Sequence, residues 1–245
     1  NRRLDLDFRI RRIQLVKVVV VVFPGSNCDA DTLHVLNEVA GMNARYAWHG
    51  NTSIPDTDII VLPGGFSHGD YLRSGAMAAH SPIMAAVRDH AERGRPLLGI
   101  CNGFQILLES NLLPGAMLPN TSTKFCCEWI HVRVDSTKTP FSSSSKSGHV
   151  LRLPIAHGEG NYVIDDDGLA RLHDNDQVVY RYTTAEGIRS PDSNPNGSLD
   201  DIAGICNVDR NIVGMMPHPE RASESVLGSL DGLTVWESLL SGASA

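Results

Sequence analysis

The sequence of 245 residues contains no apolar stretch long enough to cross a bilayer and no excess of basic residues. Its longest apolar run, residues 18–23, has only strand length, whereas a transmembrane helix needs about 20 apolar residues. The formal net charge is -7, which disfavours a surface that holds nucleic acid or anionic lipid. We therefore expect no nucleic-acid partner and no membrane partner, and small-molecule chemistry is the better hypothesis.

Motifs for the common metal and nucleotide sites are also missing. His-x-Glu opens the zinc-deaminase signature, but the continuation Pro-Cys-x-x-Cys is absent. Cys126 and Cys127 are adjacent and would face opposite sides of a strand, so no metal site is predicted. Neither a P-loop nor Gly-x-Gly-x-x-Gly is present, so nucleotide hydrolysis would belong to another chain.

Cysteine is scarce and gives a first indication of compartment. The five cysteines are odd in number and scattered, which is typical of a cytoplasmic protein without disulfides. Residues 1–17 carry arginines interrupted by aspartates and no apolar segment of signal-peptide length. We expect them to form an extension that leads into one domain over residues 18–245.

Apolar strands alternate with helical segments in the first half of the chain. Residues 16–23 form a continuous β-branched run ending in a Pro-Gly turn, the pattern of a central parallel strand. A helix capped by Asn27 or Asp29 and ended by Gly41 should follow. Further strands are predicted at residues 45–48, 58–62 and 97–100, and a helix at 82–93. The alternation predicts a doubly wound, mostly parallel α/β sheet with helices on both faces, and ligands at the carboxyl ends of the strands.

The second half is rich in strand-like segments with few helical windows between them. These segments lie at residues 128–134, 150–156, 177–182, 202–207 and 212–216, and a last helix is predicted at 232–240. They predict an antiparallel extension of the sheet. Residues 141–149 and 190–201, which are rich in turn-forming residues, are predicted to be exposed loops.

The strongest local motif is Gly-x-Cys-x-Gly, centred on Cys101 between a predicted strand and a helical run. Glycines two residues before and after a nucleophile allow the sharp turn called a nucleophile elbow, here with sulfur in place of a hydroxyl. The N-terminus of the next helix would favour a thiolate. A buried structural cysteine is the commoner fate of a single cysteine. The coincidence of strand, motif and helix nevertheless favours a nucleophile.

An acyl-transfer nucleophile also needs donors for the oxyanion. The backbone N–H of Asn102 follows from the elbow itself. The turn Pro-Gly-Gly-Phe at residues 63–66 is the candidate for the second donor, because it ends the preceding strand and its glycines let the backbone approach a substrate closely.

Two His-x-Glu elements compete for the role of the base, namely His157 with Glu159 and His218 with Glu220. Each follows a predicted strand, and in extended chain residues i and i+2 point the same way, so either glutamate could orient its imidazole. Composition does not choose between them. The prolines on both sides of His218 fix its backbone and favour it as the base, whereas the glycines around Glu159 suit a segment that wraps a ligand.

With these motifs, the sequence resembles the class I (triad) glutamine amidotransferases, which have a flavodoxin-like fold, and among them the glutaminase subunits of phosphoribosylformylglycinamidine synthases. The resemblance covers residues 18–240 and includes six motifs in order. They are FPGSNCD at residues 23–29, PGGFS at 63–67, GDYLR at 69–73, GICNGFQ at 99–105, AHGEG at 156–160 and GMMPHPER at 214–221.

The resemblance implies a role for each of the candidate residues. Cys101 would be the nucleophile, His218 the base and Glu220 its orienting carboxylate, while Gly65 and Asn102 would supply the oxyanion N–H groups. Residues implied near bound glutamine are Gly64, Phe66, Gln105, His157, Gly158, Glu159 and Gly160.

The resemblance also implies the reaction and the partners. L-glutamine would be hydrolysed to L-glutamate through a γ-glutamyl thioester, and the ammonia would pass along an enclosed path to a synthetase subunit that docks together with a small third subunit. No cofactor is expected in this chain, and ATP and Mg are expected on the synthetase.

Three positions depart from the family pattern. Cys126 stands where the family usually has an acidic residue, Glu128 where it has an arginine, and His68 where it has a tyrosine, so details of the glutamine pocket or the partner surface differ. A stand-alone γ-glutamyl hydrolase or cysteine peptidase of the same fold, and a catalytically silent regulatory module, are the alternatives.

Overall fold

The computed structural model describes residues 16–242. Residues 1–15 of the predicted extension therefore lie outside the described residues, and the first strand begins at Lys17, the last residue assigned to that extension.

Five parallel strands form one half of a nine-stranded sheet, in the order β2-β1-β3-β4-β11. They are β1 (Lys17–Val22), β2 (Asn43–Trp48), β3 (Ile59–Leu62), β4 (Leu97–Ile100) and β11 (Ile212–Met215). Every residue of β3, β4 and β11 is buried, because strands covered on both faces need no alternation of apolar and polar side chains. The predicted parallel sheet is confirmed.

The other half of the sheet is antiparallel and continues in the order β10-β9-β6-β7. Its strands are β6 (Cys126–Val134), β7 (Val150–His157), β9 (Val178–Thr183) and β10 (Ile202–Cys206), and a separate small sheet pairs β5 (Ala116–Leu118) with β8 (Asn161–Val163). The edge strand β7 alternates buried and half-buried residues, as expected of a strand with one covered face. The predicted antiparallel extension is thus confirmed.

Five α-helices lie within residues 16–242. They are α1 (Asp29–His34), continued by a π-helical turn at Val35–Val39, α2 (Ile83–Glu92), α3 (Asn102–Glu109), α4 (Asp166–Asp174) and α5 (Leu233–Gly242). None of the helices in this part of the chain combines the length and apolarity that a membrane span requires.

Two details of the helices differ from the sequence prediction. Cys28, rather than Asn27 or Asp29, occupies the cap position of α1, and Asp29 lies in the first turn, where its charge favours the helix N-terminus. Helix α4 was not predicted at all. Its local signal is Asp165, whose carboxylate accepts a hydrogen bond of 2.7 Å from the N–H of Gly168, as an N-cap does.

The prediction that residues 141–149 and 190–201 are exposed loops holds only in part, because residues at the start of the first segment and at the centre of the second are buried. Phe141 in the first segment and Asn196 in the second are both 0 % exposed. The second segment is held down by ion pairs, because Arg189 contacts both Asp200 and Asp201 at 2.6 Å. Both segments therefore bury individual side chains in the fold although most of their composition is that of a loop.

Candidate active site

Cys101 lies at the turn between β4 and α3. Its φ is 51° and its ψ is -105°, a backbone conformation that residues other than glycine rarely adopt. A Cβ atom on Gly103 would overlap the carbonyl oxygen of Leu62, and one on Gly99 would lie 2.6 Å from the carbonyl oxygen of Gly103. The glycines are therefore needed for the close approach of β3, β4 and α3 that produces the strained turn.

His218 and Glu220 form a buried pair next to the thiol of Cys101. Nδ1 of His218 lies 2.6 Å from Oε1 of Glu220, and each residue is 1 % exposed. Burial by itself lowers the pKa of His218, but the Glu220 charge and the adjacent Cys101 raise this pKa well above its ordinary value. Among the described residues, Nε2 of His218 has no hydrogen-bond partner, so this nitrogen is available for proton transfer.

The register of the sheet explains why His218 reaches Cys101. Met215 pairs with Ile100 across β11 and β4, and its carbonyl oxygen accepts a hydrogen bond of 2.8 Å from the N–H of Cys101. Both strands end at the same edge, and the N–H of His218 then donates to the carbonyl oxygen of Pro154 in β7 at 2.9 Å. The turn after β4, which carries Cys101, and the turn after β11, which carries His218, thus become neighbours although they are far apart in the sequence.

Sequence reasoning assigned no function to Cys28, which also lies against the histidine. Its Sγ, a ring nitrogen of His218 and a carboxylate oxygen of Glu220 lie within 4.8 Å of one another, so these three groups could in principle bind a metal ion. However, Nη2 of Arg221 donates to Sγ of Cys28 at 3.1 Å. Because this guanidinium is positively charged, it opposes binding of a cation. The sequence could have indicated this position, because Cys28 lies within the FPGSNCD motif at residues 23–29.

The turn at residues 63–66 packs closely against this centre. Gly65 has a φ of 146°, forms an isolated bridge with Ser26, and lines the same cavity as Cys101. A Cβ on Gly64 would lie 2.7 Å from Cε1 of His218. Glycine at these positions lets the chain pass close to the imidazole and along the cavity without a side chain in the way.

A cavity of about 150 Å³ opens beside Cys101. It is far smaller than the ~300–1,000 Å³ of pockets for drug-sized ligands, so its scale is that of a single amino acid. Candidate residues lining it are Gly65, Phe66, Gln105, His157, Gly158 and Glu159, and residues not assigned from sequence are Asp70, Ser74, Phe125 and Ala156. The remaining candidates lie just outside it, because Gly64 contacts His218 and Gly160 packs behind the ring of His157.

His157 differs from His218 in its partners and charge. Its Nδ1 lies 3.1 Å from Oδ1 of Asn120, whereas the Glu159 carboxylate accepts from the N–H of Ser74 at 3.4 Å. Burial, with repulsion from His218, lowers the pKa of His157 to about 4, so its imidazole is neutral near pH 7. The two His-x-Glu elements are therefore not equivalent: only Glu220 contacts the histidine two residues before it.

The side chains of α3 connect the elbow to the opposite wall of the cavity. Nε2 of Gln105 donates to the carbonyl oxygen of Glu159 at 2.6 Å, and Nδ2 of Asn102 donates to Oε1 of Gln105 at 2.8 Å. Oδ1 of Asn102 accepts from the N–H of Ser67 at 3.1 Å. These bonds hold the loop that follows β3 and the 157–160 segment on either side of the thiol.

A strained cysteine at a strand-to-helix turn, a buried His–Glu pair and a cavity of amino-acid size together define a class I amidotransferase-type site on an α/β fold. The family model for the CobB/CobQ-like glutamine amidotransferase domain matches residues 15–236. The chain therefore belongs to the CobB/CobQ-like glutamine amidotransferase family.

Similar proteins narrow the comparison within this family. Phosphoribosylformylglycinamidine synthase subunit PurQ of Moorella thermoacetica is 52% identical over 92% of this chain and 95% of its own length. The PurQ subunit of Methanosarcina acetivorans is 51% identical over 91% of this chain and 97% of its own length. A chain in the solved structure of PurLQS from Thermotoga maritima superposes with a TM-score of 0.81 and 44% identity, over 93% of this chain and 98% of the other.

Proposed function

We propose that this chain is the glutaminase subunit of a phosphoribosylformylglycinamidine synthase, which hydrolyses L-glutamine and delivers ammonia for purine biosynthesis. The similarity to PurQ subunits over more than nine-tenths of their length supports this assignment. The single observation that carries the chemistry is the contact of the Cys101 thiol with the buried His218–Glu220 pair, beside a cavity of about 150 Å³.

The first half of the reaction forms a thioester. The proton of the Cys101 thiol passes to His218, and the sulfur attacks the side-chain amide carbon of glutamine. The negative charge that develops on the amide oxygen is stabilised by the backbone N–H groups of Gly65 and Asn102. The carbon–nitrogen bond then breaks as His218 transfers its proton to the leaving nitrogen. The products of this half are ammonia and a γ-glutamyl thioester on Cys101.

The second half regenerates the enzyme with water. Neutral His218 takes a proton from a water molecule, the resulting hydroxide attacks the thioester carbon, and the sulfur leaves to give glutamate. Glu220 keeps the imidazole in one orientation through both halves and stabilises its protonated form. Gln105 and the 157–160 segment form the walls that hold the substrate during these steps.

Ammonia is useful only if it reaches an acceptor before bulk water protonates it. The chain therefore acts with a synthetase subunit that binds ATP and Mg, together with a small third subunit, and the proposed compartment is the cytoplasm. The similarity to a chain of the PurLQS structure over almost its full length supports assembly of this kind.

The test is the Cys101→Ala variant in the complete complex with its synthetase. Glutamine-dependent synthesis should fall to background, whereas synthesis supported by added ammonium should remain at the wild-type rate, because only the glutaminase step needs the thiol. Cys127→Ala, which changes an exposed cysteine, is the matched control and should behave as wild type. Equal loss of both activities would contradict the assignment, and rapid hydrolysis of γ-glutamyl peptides by the chain alone would indicate a stand-alone hydrolase.

A further inference from the structure

Asp70 is a cavity residue to which neither the sequence motifs nor the proposed mechanism assign a role. It lies in the GDYLR motif, five residues after Gly65, and lines the same cavity as Cys101. The loop that carries it leaves the end of β3 and passes in front of α3.

Hydrogen bonds place the Asp70 carboxylate at a defined position relative to the nucleophile. Its Oδ1 accepts from Nδ2 of Asn102 at 3.2 Å, and Asn102 directly follows Cys101. Ser74 is its second hydrogen-bond partner. Consecutive Cα atoms are about 3.8 Å apart, and an extended glutamine spans roughly 5 Å from its α-nitrogen to its amide carbon. Because Asp70 and Cys101 line the same cavity of about 150 Å³, a glutamine whose amide carbon meets the Cys101 sulfur can direct its α-nitrogen toward this carboxylate.

A second carboxyl group shares the cavity with Asp70. Partial burial raises the pKa of Asp70 to about 6, and repulsion from the Glu159 carboxyl group adds to this shift. The nearby cation Arg73 is already engaged, since its Nε and Nη2 donate to the two carboxylate oxygens of Glu109 at 2.7 and 2.6 Å. Two carboxyl groups, those of Asp70 and Glu159, therefore line the cavity beside Cys101, and together they would attract a positively charged group of a ligand.

The backbone of this loop is strained where Asp70 lies. His68, Asp70 and Leu72 have φ values of 54°, 52° and 71°, in the left-handed region that side chains other than glycine seldom occupy. Each such residue costs on the order of 1 kcal/mol, and strain of this kind persists where a side chain must be presented in one direction. Of these three strained residues, Asp70 is the one that lines the cavity.

We propose that Asp70, together with Glu159, binds the α-ammonium group of glutamine, and that this contact makes the cavity select side-chain amides that carry a free α-amino group. The proposal rests on the proposed glutaminase function and adds the specificity of that site. Asp70 touches the substrate but not the reacting amide, so its contribution should appear mainly in substrate binding. A charge-assisted contact of this kind is worth roughly 10- to 100-fold in affinity.

The test compares glutamine with 4-carbamoylbutanoate, which has the same amide and carboxylate but lacks the α-amino group. In the complete complex, wild type should prefer glutamine by a factor of about 100 or more in kcat/KM. Asp70→Asn should lower kcat/KM for glutamine by about 10- to 100-fold, chiefly through KM, and leave that for 4-carbamoylbutanoate within about threefold. The preference for glutamine over 4-carbamoylbutanoate should therefore be largely lost in Asp70→Asn. Glu159→Gln should shift it in the same direction.

Asp209→Asn, which changes an exposed aspartate in the turn after β10, is the matched control and should keep the wild-type preference. Three outcomes would overturn the proposal: equal use of both substrates by wild type, an unchanged preference in Asp70→Asn, or an equal loss on both substrates in that variant. If Asp70→Asn does not fold, the wild-type comparison and the Glu159→Gln variant still test the proposal. Absence of any glutamate release from glutamine by wild type would instead refute the proposed function.

Discussion

His218 and Glu220 are joined by a contact of 2.6 Å between Nδ1 and Oε1, inside a site where each residue is 1 % exposed. An imidazolium without a partner would lose its proton on such burial, because removal from water disfavours its charge. The carboxylate reverses that effect and raises the pKa of His218 well above its ordinary value. His218 is therefore protonated because Glu220 is ionised. Removal of the Glu220 charge should lower the pKa of His218 and impair its role in proton transfer.

Glu220→Gln should lower the glutaminase kcat by about 10²- to 10⁴-fold. The amide retains the size of the side chain but loses the charge that keeps His218 protonated, and it can reverse the orientation of the ring proton. The measurement is glutamate release at saturating glutamine in the complete complex. Glu224→Gln provides the control, because Glu224 contacts only the half-exposed His34 among its described ion-pair partners. A kcat within threefold of wild type would exclude the pair as the catalytic unit.

His218→Ala should reduce turnover much more than His157→Ala. Because the pKa of His157 is lowered to about 4, its imidazole is neutral over the working pH range and has no extra proton to donate to the leaving nitrogen. We expect a loss of about 10³-fold or more in kcat for His218→Ala. For His157→Ala we expect mainly an increase in KM. Steady-state kinetics on folded, thermally characterised proteins distinguish the two, and the reverse order would exchange the proposed roles.

The pH dependence of kcat/KM for glutamine should contain an acid limb due to Asp70. Its carboxyl group has a pKa of about 6, set by burial and Glu159 against the hydrogen bonds from Ser74 and Asn102. Below this pH the group is neutral and loses its attraction for the α-ammonium, so kcat/KM should fall with acidity and level off above about pH 7. Asp70→Asn should lack this limb. A profile with the same limb in the variant would assign the titration to another group.

The same carboxyl group should reduce the stability of the folded chain at neutral pH. A folded-state pKa of about 6, above the ordinary value of 3.8, means that stability falls as the pH rises from 3.8 through 6 and the penalty persists above that window. After allowance for partial exposure, Asp70→Asn should raise the free energy of unfolding at pH 7 by about 1 kcal/mol. Urea unfolding of wild type and variant at pH 5 and pH 8 tests this, and a less stable variant at pH 8 would contradict it.

Gly103→Ala should destabilise the fold at the elbow itself. The added methyl group would overlap the carbonyl oxygen of Leu62 in β3, and the carbonyl carbon of the same residue would lie only 2.7 Å away. We expect a loss of about 1–3 kcal/mol in the free energy of unfolding. Gly50→Ala is the control, because its methyl group would meet only the edge of the Trp48 side chain, at 3.2 Å. Equal stabilities of the two variants would show that the close packing of β3 and α3 does not need glycine.

Much of the fold was accessible from local sequence patterns. Residues 97–100 were predicted as a buried strand and form β4 with the same bounds, because continuous apolar runs between turn signals are typical of covered parallel strands. The family resemblance is confirmed by the match over residues 15–236. The individual roles of Cys101, His218 and Glu220 in catalysis stay predictions, although the three side chains do meet in one site.

Other features were not accessible because they depend on long-range contacts. Asn196 lies in a segment with the composition of an exposed loop, yet its side chain is buried and donates to the hydroxyl of Tyr182 at 3.1 Å. Cys28 acquires its position through contacts with His218 and Arg221, about 190 residues away in the chain. A short segment of sequence does not show which distant residues will contact it in the folded chain.

The sequence by itself determined the elbow, since the alternation of an apolar strand, Gly-x-Cys-x-Gly and a helical run is a local property that needs no distant partner. It also limited the base to two histidines, each followed by a glutamate. Only the tertiary structure separated them. The pairing of Met215 with Ile100 places the turn after β11 beside Cys101. The Glu220 carboxylate then overcomes the effect of burial on His218 and makes it a charged partner, whereas burial keeps His157 a neutral wall of the cavity.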